Sequence, residues 1–220
     1  GLAVLTLAGA AGVGLGGPVG VYCSCPPTSA MSHSVLPDIA ALPYVDGTLL
    51  RIGWGLLEPS ADPAAPYDWS VLDAELERAE LYDQDVALAV VLGSQVPGWL
   101  ESAGAQFVEY DFFGETRRIV APWDPVFRAR WTTMVAALGE RYAGHPRIKL
   151  VHVTNSSHNG FEMQLVGDTA AWQAAGYSVE AYASSWETAI DAFDAAFPAT
   201  PLDVEVHPVL GSDAVAERVA

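Results

Sequence analysis

Residues 149–163 read KLVHVTNSSHNGFEM. The apolar, β-branched start (Leu150, Val151, Val153) breaks off into Thr154, Asn155, Ser156, Ser157, His158 and Asn159, and Glu162 follows. A buried strand that ends in a knot of polar groups is how α/β proteins display chemistry at the carboxyl ends of their strands. Glu162 is the candidate proton donor, with Asn155, His158 and Asn159 as hydrogen-bonding neighbours. Gly160 permits the sharp turn that would bring Glu162 back towards the strand end. A glutamate here could equally cap or solvate the loop. Acid–base work by carboxyl groups normally runs on a pair, and this loop supplies only one.

Other residues could line the same place. Arg51 falls inside an apolar run, where an unpaired charge is costly, so it should pair with a carboxylate near the catalytic face. A structural ion pair and a substrate contact are both open for it. Trp54, Trp99 and Trp123 lie at strand ends or in long connections, where an indole face can hold a ring ligand or simply fill the core. His207 follows a strand directly, ahead of Pro208, and could bond a ligand hydroxyl or a carboxylate. Asp203 and Glu205 alternate on that strand and share a face, either a polar interior or an exposed one.

The elements that must position these groups alternate. Strands are expected at residues 18–24, 48–54, 86–92, 149–154 and 202–206, the third apolar throughout as in a strand buried on both faces. Between them, Asp68 or Ser70 caps a helix through about Tyr82. Pro125 opens one through Tyr142 with Phe127, Trp131, Met134, Val135 and Leu138 on a stripe. Ser184 or Ser185 opens another that Pro198 ends. A last helix covers 213–220. This alternation predicts an α/β fold with a parallel sheet and right-handed crossovers. The strand spacing of roughly 45 residues suits a (β/α)8 TIM-barrel with decorated loops, of which about five βα units are present. The connections 55–67 and 93–124 follow strands and therefore lie at the carboxyl-end face.

Bulk composition removes several alternatives. The 220 residues carry 27 acidic against 10 basic side chains, a formal charge of −17, which repels nucleic acid and anionic membrane. Hydrophobic residues make up 51%, ample for one domain over 18–220. Cys23 and Cys25 are too close for an unstrained disulfide and are expected as free thiols. Residues 1–17 are small and apolar, a leader-like segment that points to a secreted or exported protein but is too short and Gly-rich for a membrane span. There is no G-x-S-x-G, phosphate loop or H-E-x-x-H, so no cofactor or metal is expected. The glycines at 12, 14, 16 and 17 precede the first strand and make no dinucleotide site.

A resemblance joins these observations. Arg51-Ile52-Gly53-Trp54, then Leu57-Glu58-Pro59, then Tyr67-Asp68-Trp69-Ser70-Val71-Leu72-Asp73 resembles the "R-x-x-W … EP … YDW-x-x-LD" signature of clan A glycoside hydrolases, above all the β-galactosidase-like family 42, with family 5 similar. Pro97-Gly98-Trp99-Leu100, Pro122-Trp123-Asp124-Pro125 and Arg141-Tyr142 … His145-Pro146 fall where such enzymes have matching segments. The resemblance implies a (β/α)8 barrel that cleaves glycosidic bonds with retention, using an acid/base glutamate after the fourth strand, usually as Asn-Glu, and a nucleophile ending the seventh. It makes an oligosaccharide or glycoside the expected substrate, and the tryptophans candidate sugar platforms. The chain departs from the pattern at two places. Ser156, which cannot serve as the acid, follows Asn155, and the count of strands stops at five, so an incomplete barrel is expected. A non-catalytic carbohydrate-binding barrel is the alternative.

Overall fold

The apolar run at 86–92 becomes the middle of a sheet because both its faces can be buried. In the computed structural model, which describes residues 18–25 and 34–220, the elements follow in order. They are β1 (Tyr22–Cys23), α1 (Pro37–Ala40), β2 (Gly47–Gly53), α2 (Trp54–Leu57), α3 (Ser70–Leu81) and β3 (Asp85–Val91). Next come β4 (Phe107–Phe112), β5 (Glu115–Val120), α4 (Pro125–Tyr142) and β6 (Ile148–His152). The chain continues through α5 (Thr169–Ala174), α6 (Val179–Ala196), β7 (Leu202–Asp203) and α7 (Ala216–Val219). Five strands form one parallel sheet in the order β1-β2-β3-β6-β7. This is the strand order of an incomplete (β/α) barrel, each strand followed in space by the next.

The two faces of the sheet differ in kind. Leu50 and Ile52 of β2, Val86, Leu88 and Val90 of β3, and Val151 of β6 pack with the helices in one large core. That core takes Leu72, Leu76 and Ala79 from α3, the Phe127–Trp131–Val135 stripe from α4, and Trp186 and Phe193 from α6. The alternate positions face the other way: Leu49, Ala89 and Val91 form a small separate cluster under Phe161. Arg51 is level with Ala89, and His152 with Asp203, so their side chains belong to this second face. The second face is the inside of the barrel.

Helix α4 has the bounds its sequence predicts, because Pro125 sits in the first turn and Asp124 Oδ1 accepts from Phe127 N at 2.8 Å. Other expectations need correction. Helix α6 starts at Val179, not at Ser184 or Ser185: Ser178 is the cap, accepting from Ala181 N, and Ser185 is buried within the helix. The connection 93–124 is no plain loop but carries the antiparallel hairpin β4–β5, closed by Phe113 and Gly114. Strand β1 is only two residues long, α7 four, and β7 two, with Val206 rejoining the sheet through a single bridge to Met163. Cys23 and Cys25 are free thiols, the second buried. The leader-like residues 1–17 lie outside the described residues. Among those described, no helix is long and apolar enough to cross a membrane.

Candidate active site

The loop after β6 is pinned before it reaches Glu162. Thr154 Oγ1 donates to Val90 O, Asn155 Nδ2 donates to Ser185 Oγ at 3.1 Å, and Ser156 Oγ donates to Val120 O. All three residues are buried. The side chain after Asn155 therefore points into the protein, against the end of the hairpin, and not into a cleft. Asn155 itself is a structural residue here, holding the loop to α6.

The chain then turns at Gly160, whose φ is +73°, a conformation that costs an L side chain about 1–2 kcal/mol. Its carbonyl accepts from Leu92 N at 3.1 Å, clamping the loop to the end of β3. A Cβ at this position would lie 2.3 Å from Leu92 C and 2.4 Å from Leu92 N. Backbone cannot yield as a side chain tip does. Gly160→Ala is expected to lose clearly more than that 1–2 kcal/mol, read as a lower urea midpoint at unchanged slope.

Beyond the turn, residues 161–163 run beside 204–206. Met163 N donates to Glu205 O at 2.8 Å, and Met163 bridges Val206 in parallel register. Met163 is buried in the large core and Phe161 in the inner cluster. Glu162 between them is half-buried, level with Glu205 on the neighbouring segment, and its charge acts on both Arg51 and His158. The Glu162 carboxylate accepts from Asn159 Nδ2 at 2.9 Å, and Asn159 Oδ1 accepts from the backbone of Glu162 and Phe161. The asparagine thus holds the carboxyl group and its backbone together.

Arg51 completes the group. Its guanidinium lies 3.9 Å from the centre of the Phe161 ring, a cation–π contact. Burial pulls its pKa down, and the negative charges of Glu162 and Glu205 push it back up without cancelling the fall. Phe161 also packs on His152 with ring centres 4.8 Å apart. Burial holds the His152 imidazole below the ordinary histidine range, against the opposing charge of Asp203. Sequence reasoning missed His152 and Phe161. The signal for His152 was its place two residues after Leu150, on the less apolar side of the strand.

His158 lies beside this group and lines a cavity of about 230 Å³ with Ser94, Tyr110, Phe112, Arg117, Arg118 and Ile119. Its Nδ1 shares a 2.8 Å hydrogen bond with the Tyr110 hydroxyl. Burial, then the charge of Arg117, lowers its pKa, while Glu162 opposes the shift. Burial pushes Tyr110 up to about 12. His207 is half-buried, one residue past the Val206 bridge.

The three tryptophans lie elsewhere. Trp54 is completely buried, donating from Nε1 to Glu58 Oε2 at 2.7 Å. With no exposed face it offers a sugar no platform, which corrects its expected role. Trp99 is half-buried, donates to Glu58 O at 2.9 Å and stacks under Arg130 at 4.3 Å. Trp123 donates to Ala175 O at 3.0 Å and packs beside Tyr177. Of the residues picked from sequence, the fold gathers Glu162, Arg51 and His158. It leaves Trp54, Trp99, Trp123 and Asn155 in packing or loop-holding roles.

An incomplete parallel barrel with carboxylates, an arginine and histidines near the carboxyl ends of its strands has the layout in which (β/α) barrels place their functional groups. The family defined as Glyco_hydro_42, beta-galactosidase, matches residues 40–195, and the chain belongs to that family. Beta-galactosidase BgaA of Planococcus sp. (strain 'SOS Orange') is 27% identical over 114 residues, covering 49% of this chain and 16% of that protein. A beta-galactosidase of Arthrobacter sp is 29% identical over 128 residues, covering 54% and 18%. The chain thus matches less than a fifth of the length of these relatives. Two solved structures share the fold. The beta-galactosidase of Bacillus circulans sp. alkalophilus has a TM-score of 0.54 at 15% identity, over 78% of this chain and 33% of its own. That of the haloarchaeon Halorubrum lacusprofundi has 0.53 at 17%, over 82% and 36%.

Proposed function

We propose that this chain carries the acid/base side of a retaining glycosidase site acting on β-linked galactosides or related glycans. The observation that supports it best is the placement of Glu162. It is the one carboxyl group of residues 153–167 in the loop after β6, and it lies level with Glu205, its charge acting on Arg51. Ser156, at the expected glutamate position, is turned away to Val120. The acid has moved along the loop to where the Gly160 turn returns it to the cleft.

In this reading the protonated Glu162 gives its proton to the glycosidic oxygen as the bond to the sugar breaks. The resulting carboxylate then takes a proton from the water that releases the sugar. Asn159 keeps the carboxyl oriented through both halves. Arg51 stabilises the negative charge left on the site after proton transfer. Retention also requires a nucleophilic carboxylate about 5–5.5 Å from the acid.

The test is hydrolysis of a panel of aryl and alkyl glycosides by the protein expressed from its full reading frame, with the first-formed anomer followed by NMR. The expected outcome is cleavage of β-galactosides with a β-configured first product. An α-configured first product would remove the retaining mechanism. Saturable oligosaccharide binding without turnover would make the protein a carbohydrate-binding barrel.

A further inference from the structure

On the same inner face as Arg51, the side chains of His152, Asp203 and Glu205 converge. Each offers a donor atom, and the three atoms all lie within 4.8 Å of one another. The strand register makes the convergence firm: His152 is level with Asp203, and Glu205 follows two residues later on the same side. His152 is only 7% exposed, yet its Nδ1 makes no hydrogen bond. Asp203 Oδ2 stands 3.0 Å away, an ion-pair distance at which the geometry makes no well-aligned hydrogen bond. A buried ring nitrogen that faces a carboxylate at ion-pair distance without a well-aligned hydrogen bond has a lone pair that a cation could use.

We propose that His152, Asp203 and Glu205 form a binding site for one divalent first-row cation, of the Mn2+ or Zn2+ type. One imidazole and two carboxylates suit these ions better than calcium or magnesium, which take oxygen shells. Two ligands each about 2.1 Å from a shared ion, at near right angles, stand about 3 Å apart, which is the His152–Asp203 separation. Glu205 is half-buried on a flexible side chain and needs only a small swing to close the third position. Three protein ligands leave positions open towards the cleft, where sugar hydroxyls or water can complete the shell. Arg51 is the cation that faces this group, and its charge opposes a metal ion.

The proposal does not rest on the glycosidase reading, since binding is measured without substrate. The 220-residue chain, washed with chelator, is titrated with MnCl2 followed by electron paramagnetic resonance and with ZnCl2 followed by calorimetry. One equivalent is expected to bind. Asp203→Asn and Glu205→Gln, each checked for native circular dichroism, should weaken binding at least about 10–100-fold, the loss that even an outer-shell partner causes. Arg51→Gln should tighten it. Absence of saturable binding of both ions, wild-type affinity in either carboxylate variant, or no tightening in Arg51→Gln overturns the assignment.

Discussion

Glu162→Gln is expected to lower kcat/KM on an alkyl β-galactoside by about 10²–10⁴-fold, the usual worth of a positioned general acid. The amide has nearly the shape of the acid and keeps an oxygen to accept from Asn159 Nδ2, so the loop should stay in place and stability should hardly change. Only the transferable proton is lost. The loss should therefore depend on the leaving group. An alkoxide needs its proton as the bond breaks, whereas a nitrophenolate is stable without one, so an activated aryl galactoside should lose much less in its first step. A rival role exists for Glu162, as a mere loop cap tied to Asn159. That role predicts equal activity of the variant on both substrates. Measuring kcat/KM for the alkyl and aryl pair separates the two, because a general loss of folding would reduce both alike.

Why Glu162 could be picked from sequence, and its neighbours could not, follows from the range of the contacts. A lone carboxyl in a polar strand-end loop is a local signal. Its alignment with Glu205 depends on the Met163–Val206 bridge, between segments more than forty residues apart in sequence. Nothing in the alternation of residues 202–206 says which face turns inward. His152 was hidden for a related reason: a single polar residue in an apolar strand reads as tolerated until the register puts Asp203 beside it. The parallel sheet was legible because buried strands such as β3 are continuously apolar. Helix α4 was legible because proline and a capping aspartate mark its start. The hairpin β4–β5 was not, since Glu109, Asp111, Glu115, Arg117 and Arg118 dilute its apolar positions, and only Val108, Tyr110, Ile119 and Val120 are buried. Helix α6 began early because Ser178 outcompetes the later serines as a cap. There it meets a free backbone N–H at Ala181, whereas an N–H beyond Ser185 already has a helical partner.

The Glu-Pro pair that helped to reveal the family is itself a structural device, and its removal should be severe. Glu58 is 7% exposed. Its Oε2 accepts from Trp54 Nε1, its Oε1 pairs with Arg130, and its carbonyl accepts from Trp99 Nε1. Arg130 in turn lies against the Trp99 ring. The carboxylate therefore ties α2 to helix α4, and the carbonyl of the same residue adds the loop after β3 to the knot. Glu58→Ala leaves a buried indole N–H and a largely buried guanidinium without partners. Breaking such a pair from one side costs about 3–5 kcal/mol. The lower end applies here, because the Arg130 side chain keeps 22% of its exposure and water can reach part of it. At roughly 2–4 °C per kcal/mol for a domain of this size, the thermal midpoint should fall by about 6–12 °C. Glu58→Gln, which keeps the acceptor for Trp54, should lose less. Arg130→Ala added to Glu58→Ala should recover part of the loss, since it removes the stranded charge. A midpoint unchanged in Glu58→Ala would mean that the pair is screened like a surface ion pair. Trp54 would then have to be held by packing against Trp99, Phe127 and Trp131.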